Sequence, residues 1–327
     1  MQAAVLDDHG TPFRIATVPL RSPGPGEVRV RIAASGVNPL DIKIYLGEAA
    51  HARHPLPAIL SIDLAGTVDV VGEGVTRFAR GDEVYGVTGG VGGIQGSLAD
   101  YAVVDADLLA LKPSNISMRT AAALPLITIT AWEGLIDRMG LRAGEMLLVQ
   151  GGAGSVGHVA IQIAHALGAI VHATDSTHSR DDRGTWSAFI DRDEPAAAYV
   201  ERLTNGHGFD RVYDTAGGPA LDASFHAVRR FGHVVSCLGW GSHSLAPLSF
   251  KGASYSGVFT LMPLLSGLGR ARHGEILAAA AKLVEAGALI PILDPRRFDL
   301  ATACDAYRAQ KSADGHGKVV VEIGAAS

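Results

Sequence analysis

Between residues 26 and about 110, apolar and polar positions alternate in short runs. Val28, Val30 and Ile32 take one parity while Arg29 and Arg31 take the other, and AGTVDVV, DEVYGV and SLADYAVV follow between Gly-rich turns. Alternation of this kind marks a strand with one buried face, so the stretch predicts an all-β lobe. VTGGVGGIQGS, residues 87–97, holds too much glycine for a strand or helix and predicts a mobile loop. Beyond it the period changes. EMLLVQ is a continuous apolar run of strand length, SVGHVAIQIAHALG is helical and IVHAT is another strand. Together they predict a β-α-β unit whose parallel sheet is buried on both faces. In the helix, Val156, Ala160, Ile163 and Leu167 fall at spacings of four, three and four, one apolar stripe that leaves His158, Gln162 and His165 facing outward. A second round follows in FDRVYDTAGG, a helix over 221–230 and GHVVSCLG. The α/β domain therefore spans 123–258. The β-rich domain takes 1–122 and recovers the C-terminal pieces in 259–327, among them the helix HGEILAAAAKLVEAG and the last strand GKVVVEI.

Composition narrows the partners. At 327 residues, 47% hydrophobic and 19% charged, the chain is long enough for two domains with sizeable cores. The 28 Lys and Arg against 33 Asp and Glu leave a formal charge of −5, and no basic run tracks a phosphate backbone, which argues against nucleic acid. MQAAVLDDHG turns acidic at once and every later apolar run is broken short of a membrane span, so no membrane partner and a cytoplasmic location are expected. Cys237 and Cys304 are the only cysteines; they lie too far apart for a Cys-x-x-Cys zinc lobe and read as small buried thiols.

Between the first strand of the α/β domain and its helix lies Gly152-Ala153-Gly154-Ser155-Val156-Gly157, a G-x-G-x-x-G. The first glycine permits the turn, the second lets the backbone approach a pyrophosphate and the third lets helix and strand pack closely. The helix start offers free N–H groups to the anion. The motif alone is weak, but here it follows a strand, opens a helix and precedes by 23 residues an acid, Asp175, at a strand end. A dinucleotide is the expected ligand.

SGVNPLDIK, AALPLITITAW, VQGGAGSVGHVAIQIAHALGA and GKVVVEI, in this order, resemble the medium-chain dehydrogenase/reductase superfamily, and within it the zinc-free quinone oxidoreductase group related to zeta-crystallin. The resemblance implies an α/β protein with a GroES-like, β-rich catalytic domain, a doubly wound Rossmann domain with a parallel sheet, an active-site cleft between them, and a homodimer or homotetramer. Zinc-dependent members carry a cysteine ligand where this chain has Asn38 and a His-Glu pair where it has Ile62-Asp63; amide and hydrocarbon cannot replace thiolate and imidazole, so no metal is expected. HARH, with His51 and His54, reads as a solvated surface loop. By resemblance Asn38 lies at the nicotinamide and Thr130 contacts it. The tyrosine that many relatives place two residues after Asp41 is Lys43 here, with Tyr45 two further on. Lys43 thus becomes the candidate for orienting the substrate oxygen or protonating an enolate, with Asn38 and Tyr45 beside it.

The cofactor segment IVHATDSTHSR points both ways. Asp175 suits the ribose hydroxyls of NADH, whereas Arg180 stands where NADPH-dependent relatives carry a cation for the 2′-phosphate, with Ser176 in the turn and Arg192 near another such position. Arginine suits bidentate phosphate binding, which favours NADPH with NADH as the alternative. The expected function is NADPH-dependent hydride transfer to a quinone or another α,β-unsaturated carbonyl compound without zinc. The competing reading is a low-turnover NAD(P)H-binding protein with a structural or regulatory role.

Overall fold

The alternation around Val28 becomes the strand Glu27–Gly36, with Val28, Val30, Ile32 and Ala34 buried and Arg29 partly exposed, paired with Asp69 at 2.6 Å. It is the hub of a seven-stranded sheet that runs Phe298–Asp299, Val320–Glu322, Glu27–Gly36, Asp63–Val71, Glu83–Val87 and Leu109–Leu111, with Tyr101–Asp105 also pairing against Glu27–Gly36. A smaller sheet joins Arg14–Thr17, Gln2–Leu6 and Ala58–Ile59. The computed structural model describes residues 1–175, 188–312 and 317–324. The chain divides into two units: Met1–Leu126 with Leu261–Gly287 and Pro291–Ser327, and Ile127–Thr260 with Ala288–Ile290.

Two features of the first unit differ from expectation. The stretch 87–97 is packed rather than loose: Val91 is fully buried, and Gly90 donates to Ile94, Gly92 to Ala52 and Gly96 to Ile59, each at 2.8 to 2.9 Å. Glycine serves close packing of backbone on backbone there. Residues Pro39–Tyr45 form a helix inside the lobe read as all-β; seven residues are too few for a helical period to stand out in sequence.

The second unit is a six-stranded parallel sheet in the order Ala188–Asp191, Ile170–Asp175, Met146–Gln150, Phe209–Asp214, Val228–Ser236, Ser254–Gly257. The chain begins at Met146–Gln150, winds to one side, then crosses to Phe209–Asp214 and winds to the other. The order therefore reverses at Met146–Gln150, and ligands of such sheets bind at the carboxyl ends beside that point. Helix Ser155–Ala166 buries Ala160 and Ile163 of the expected stripe but leaves Val156 half-buried and Leu167, just past its end, exposed, while Val159 and Ile161 are buried outside the stripe. His158 is also buried, against expectation, and Gln162 is covered, accepting from Ile290 N–H at 2.8 Å and donating to its carbonyl at 3.1 Å. The returning segment Ala288–Ile290 supplies that cover. The helix expected over 221–230 is Pro219–Ala227; Val228 already pairs with Phe209, so Arg229 and Arg230 belong to a strand. Neither cysteine is fully buried.

Candidate functional site

Two groups of candidate residues occupy the two units. In the first, Asn38 has extended backbone and caps the helix Pro39–Tyr45, its N–H donating to Asp41 Oδ2 at 2.8 Å. Its side chain is 1% exposed and engaged at both ends: Nδ2 donates to Asp63 Oδ2 at 2.9 Å, and Oδ1 accepts from Lys318 Nζ. Lys318 Nζ lies 3.3 Å from Asp63 Oδ2, and Asp63 Oδ1 accepts the Leu126 N–H at 2.8 Å. Asn38 is therefore a buried tie rather than an open donor.

Asp41 and Asp63 share one buried cation, so their titration is coupled. Burial first, then the Asp63 charge, pushes the Asp41 carboxyl up to about 7. Burial also raises Asp63, opposed by Lys318, Asn38 and the Leu126 N–H. Asp63 has three donors whereas Asp41 Oδ1 has no partner, so of the two carboxyls Asp41 is the one that more readily keeps a proton.

Lys43 is exposed on the same helix, and its neighbour Tyr45 packs at 5.4 Å from Phe13 and 5.7 Å from Tyr307. Burial, then Cys304, raises the Tyr45 phenol, which makes it a poorer proton donor. Of the HARH pair, His54 is half-buried rather than fully solvated: its Nδ1 accepts from Gly93 N–H at 3.3 Å and burial lowers its pKa. Ile62, fully buried, offers no ligand atom, and among the described residues no group of three His, Cys, Asp or Glu is placed to hold a metal.

The second unit assembles the phosphate turn at the strand-order reversal. Gly151 has φ +78°, Gly154 caps the helix Ser155–Ala166 without a side-chain hydrogen bond, and the helix opens on Ser155, Val156 and Gly157. The first-turn N–H groups of such a helix lack intrahelical acceptors, and the dipole there favours an anion. A Cβ on Gly157 would lie 2.1 Å from the Gly151 carbonyl oxygen and 2.9 Å from the Gly152 α-carbon. Small residues thus keep the turn closed against the helix, and the cradle fits a pyrophosphate. Asp175 ends the next strand and accepts from the Ala153 N–H, joining the strand end to the turn.

Arg192 is exposed one residue beyond Asp191, the register partner of Asp175, and its N–H donates to the Asp175 carbonyl at 2.9 Å. Asp175, Arg192 and the turn are therefore neighbours. Ser176 and Arg180 lie outside the described residues. Thr130, on helix Pro125–Trp132, pairs its hydroxyl with Thr260 at 3.0 Å, and its carbonyl accepts from the buried Tyr213 hydroxyl at 2.7 Å. Sequence reasoning missed Lys318 and Tyr213; a lysine at the head of the apolar GKVVVEI was the one available signal for the first.

The Alcohol dehydrogenase GroES-like domain family matches residues 24–114 and the Zinc-binding dehydrogenase family matches 186–321. The 2-methylene-furan-3-one reductase of Solanum lycopersicum is 34% identical over 302 residues, 90% of this chain and 71% of that protein. The chain belongs to the medium-chain dehydrogenase/reductase superfamily, in its quinone and enone reductase group. An alcohol dehydrogenase superfamily protein from Novosphingobium aromaticivorans matches it at 54% identity and TM-score 0.96, covering 98% of this chain and 99% of that one. An NAD-dependent alcohol dehydrogenase matches at 31% and 0.84, covering 99% and 100%. A mycobacterial quinone oxidoreductase matches at 25% and 0.86, covering 98% and 99%. The spectinabilin polyketide synthase system protein NorB of Streptomyces orinoci is 34% identical over 91% of this chain, which spans 13% of NorB. As a member of this superfamily the protein is an oxidoreductase that uses a nicotinamide cofactor. No helix among the described residues is long and apolar enough to cross a membrane.

Proposed function

We propose that the protein is an NADPH-dependent reductase of α,β-unsaturated carbonyl compounds, quinones included, that works without zinc. The observation that supports this reading is the pairing of the glycine turn at 152–157, which fits a pyrophosphate, with Asn38 and Ile62 at the positions where zinc-dependent members carry cysteine and histidine ligands. Bound at residues 152–157, a reduced nicotinamide dinucleotide supplies hydride; the protein contributes orientation and electrostatics. Asp175 and the turn hold the adenosine end, with Arg192 and Arg180 as partners for a 2′-phosphate. Lys43 is the cation available on the Asn38 helix to orient the substrate oxygen and return a proton. Asn38, with its amide engaged, holds the helix that carries Lys43 rather than donating to substrate. Support for the substrate class comes from the tomato relative, whose name describes an exocyclic enone.

Side-by-side fluorescence titrations with NADPH and NADH, followed by turnover on a panel of enones and quinones, test the reading. Tighter NADPH binding and enone turnover that falls in Lys43→Ala are expected. Failure of both cofactors to bind, or binding without turnover across the panel, would sink it.

A further inference from the structure

Asp63 stands at the start of two helices. Through Oδ2 it takes the Asn38 amide, and Asn38 is the N-cap of Pro39–Tyr45, which carries Lys43. Through Oδ1 it takes the N–H of Leu126 in the first turn of Pro125–Trp132, which carries Thr130 one turn further on. Lys318, at the head of the last strand, binds both the Asp63 carboxylate and the Asn38 carbonyl oxygen. Asp63 is fully buried and Lys318 is 1% exposed, so these groups have no water to exchange with. Burying an ion pair costs more than a surface pair returns, and replacing one by apolar groups of similar shape is often neutral for stability. A requirement for geometry explains the retention of such a pair better than stability does. A carboxylate at two helix starts also meets the positive ends of both dipoles, and its oxygens are engaged by three donors fixed in three separate segments.

We propose that Asp63, held by Lys318, is a positioning residue that fixes Asn38 and Leu126 at the starts of both helices at once and so sets where Lys43 is presented. The inference rests on the reductase reading above for its catalytic consequence, but not for its geometric one. Neither Asp63 nor Lys318 touches the reacting atoms in this assignment. They act through Asn38 and through Leu126.

The decisive variant is Asp63→Asn with Lys318→Met, which removes both charges of the pair, assayed below about pH 7, where the nearby Asp41 carboxyl keeps its proton. A purely structural ion pair predicts that this double variant recovers wild-type behaviour once its thermal stability is recovered. Positioning predicts otherwise: kcat falls by about tenfold or more, since displacements near an ångström cost about that much or more, while KM for NADPH stays near the wild-type value. Hydrogen exchange read by NMR supplies the readout independent of activity. The Leu126 amide and the Asn38 side-chain amide should exchange at least about tenfold faster in the double variant than in the wild type, with global stability matched. Wild-type protection at both amides in the double variant would overturn the proposal, as would wild-type kcat. A wild-type protein with no turnover on any acceptor would count against the reductase reading, and the exchange data would then decide the anchor alone. Should the double variant fail to fold, Asp63→Glu keeps the charge and moves it by one methylene; lowered kcat with unchanged KM for NADPH is expected, and unchanged kcat refutes the anchor.

Discussion

The α-carbon of Gly157 faces the carbonyl oxygen of Gly151 so closely that a Cβ on residue 157 would lie 2.1 Å from that oxygen. Backbone, not a flexible side chain, is the obstacle, so Gly157→Ala must push the helix Ser155–Ala166 away from the turn it opens. Overpacking of this kind costs about 1–3 kcal/mol. The same shift moves the first-turn N–H groups off the pyrophosphate. A lower melting temperature and at least a roughly tenfold weaker NADPH affinity by fluorescence titration are expected, and a variant that binds as the wild type does would show that the turn is not the cofactor cradle.

Why the turn was legible and the anchor was not follows from how each is encoded. The cofactor half is local: strand, G-x-G-x-x-G, helix and Asp175 lie within 30 consecutive residues, and each demand of the turn falls on a residue type with no substitute. Asp63 and Lys318 are 255 positions apart, and their pairing exists only once the strands Val320–Glu322 and Asp63–Val71 flank Glu27–Gly36 in one sheet. Asp63 was visible as the residue beside a missing zinc ligand, without its positive role. His158 was misassigned for a similar reason: a helical stripe predicts one buried face but says nothing about cover on the other.

Tyr213 offers a test of the second unit. It is fully buried, and its hydroxyl donates to the Thr130 carbonyl at 2.7 Å. Its ring is the reason for a glycine at 134, where a Cβ would lie 2.4 Å from the ring carbon that bears the hydroxyl. Tyr213→Phe leaves the ring in place and removes the one donor, so the Thr130 carbonyl loses a partner. Urea denaturation should register a loss of about 1–3 kcal/mol. A variant as stable as the wild type would mean that the Thr130 carbonyl finds another donor.

Arg192 supplies a prediction on cofactor choice. It follows the register partner of Asp175 and is exposed there. A charge-assisted bond to a 2′-phosphate contributes about 1.5–3 kcal/mol, whereas NADH has no group for this cation. Arg192→Ala should therefore weaken NADPH by about tenfold or more and leave NADH near its wild-type affinity. Equal losses for both cofactors would assign Arg192 to the fold of the strand end instead.

The carboxyl of Asp41 ties stability to pH in a direction opposite to that of an ordinary salt-bridged acid. Its burial and the nearby Asp63 charge raise it to about 7 in the folded protein, from 3.8. Between these values the unfolded chain has released the proton that the native state still holds, so the native state binds more protons and rising pH disfavours it. Stability from this group is therefore greatest at low pH, falls as pH rises from about 4 to about 7, and stays low above that. Asp63 pushes the carboxyl up, while the Asn38 N–H, Lys318 and the Asn38 side chain pull it down less strongly than burial raises it, and the buried Tyr307 hydroxyl is also close enough to feel its charge. Asp41→Asn keeps an oxygen for the Asn38 N–H and removes the titration. Chemical denaturation at about pH 5 and about pH 8 should show the variant gaining on the wild type by a few kcal/mol across the interval, an order-of-magnitude figure shared with the coupled Asp63. An unchanged difference at the two pH values would mean that Asp41 is already ionised in the folded protein, held so by Lys318 and the Asn38 N–H against burial.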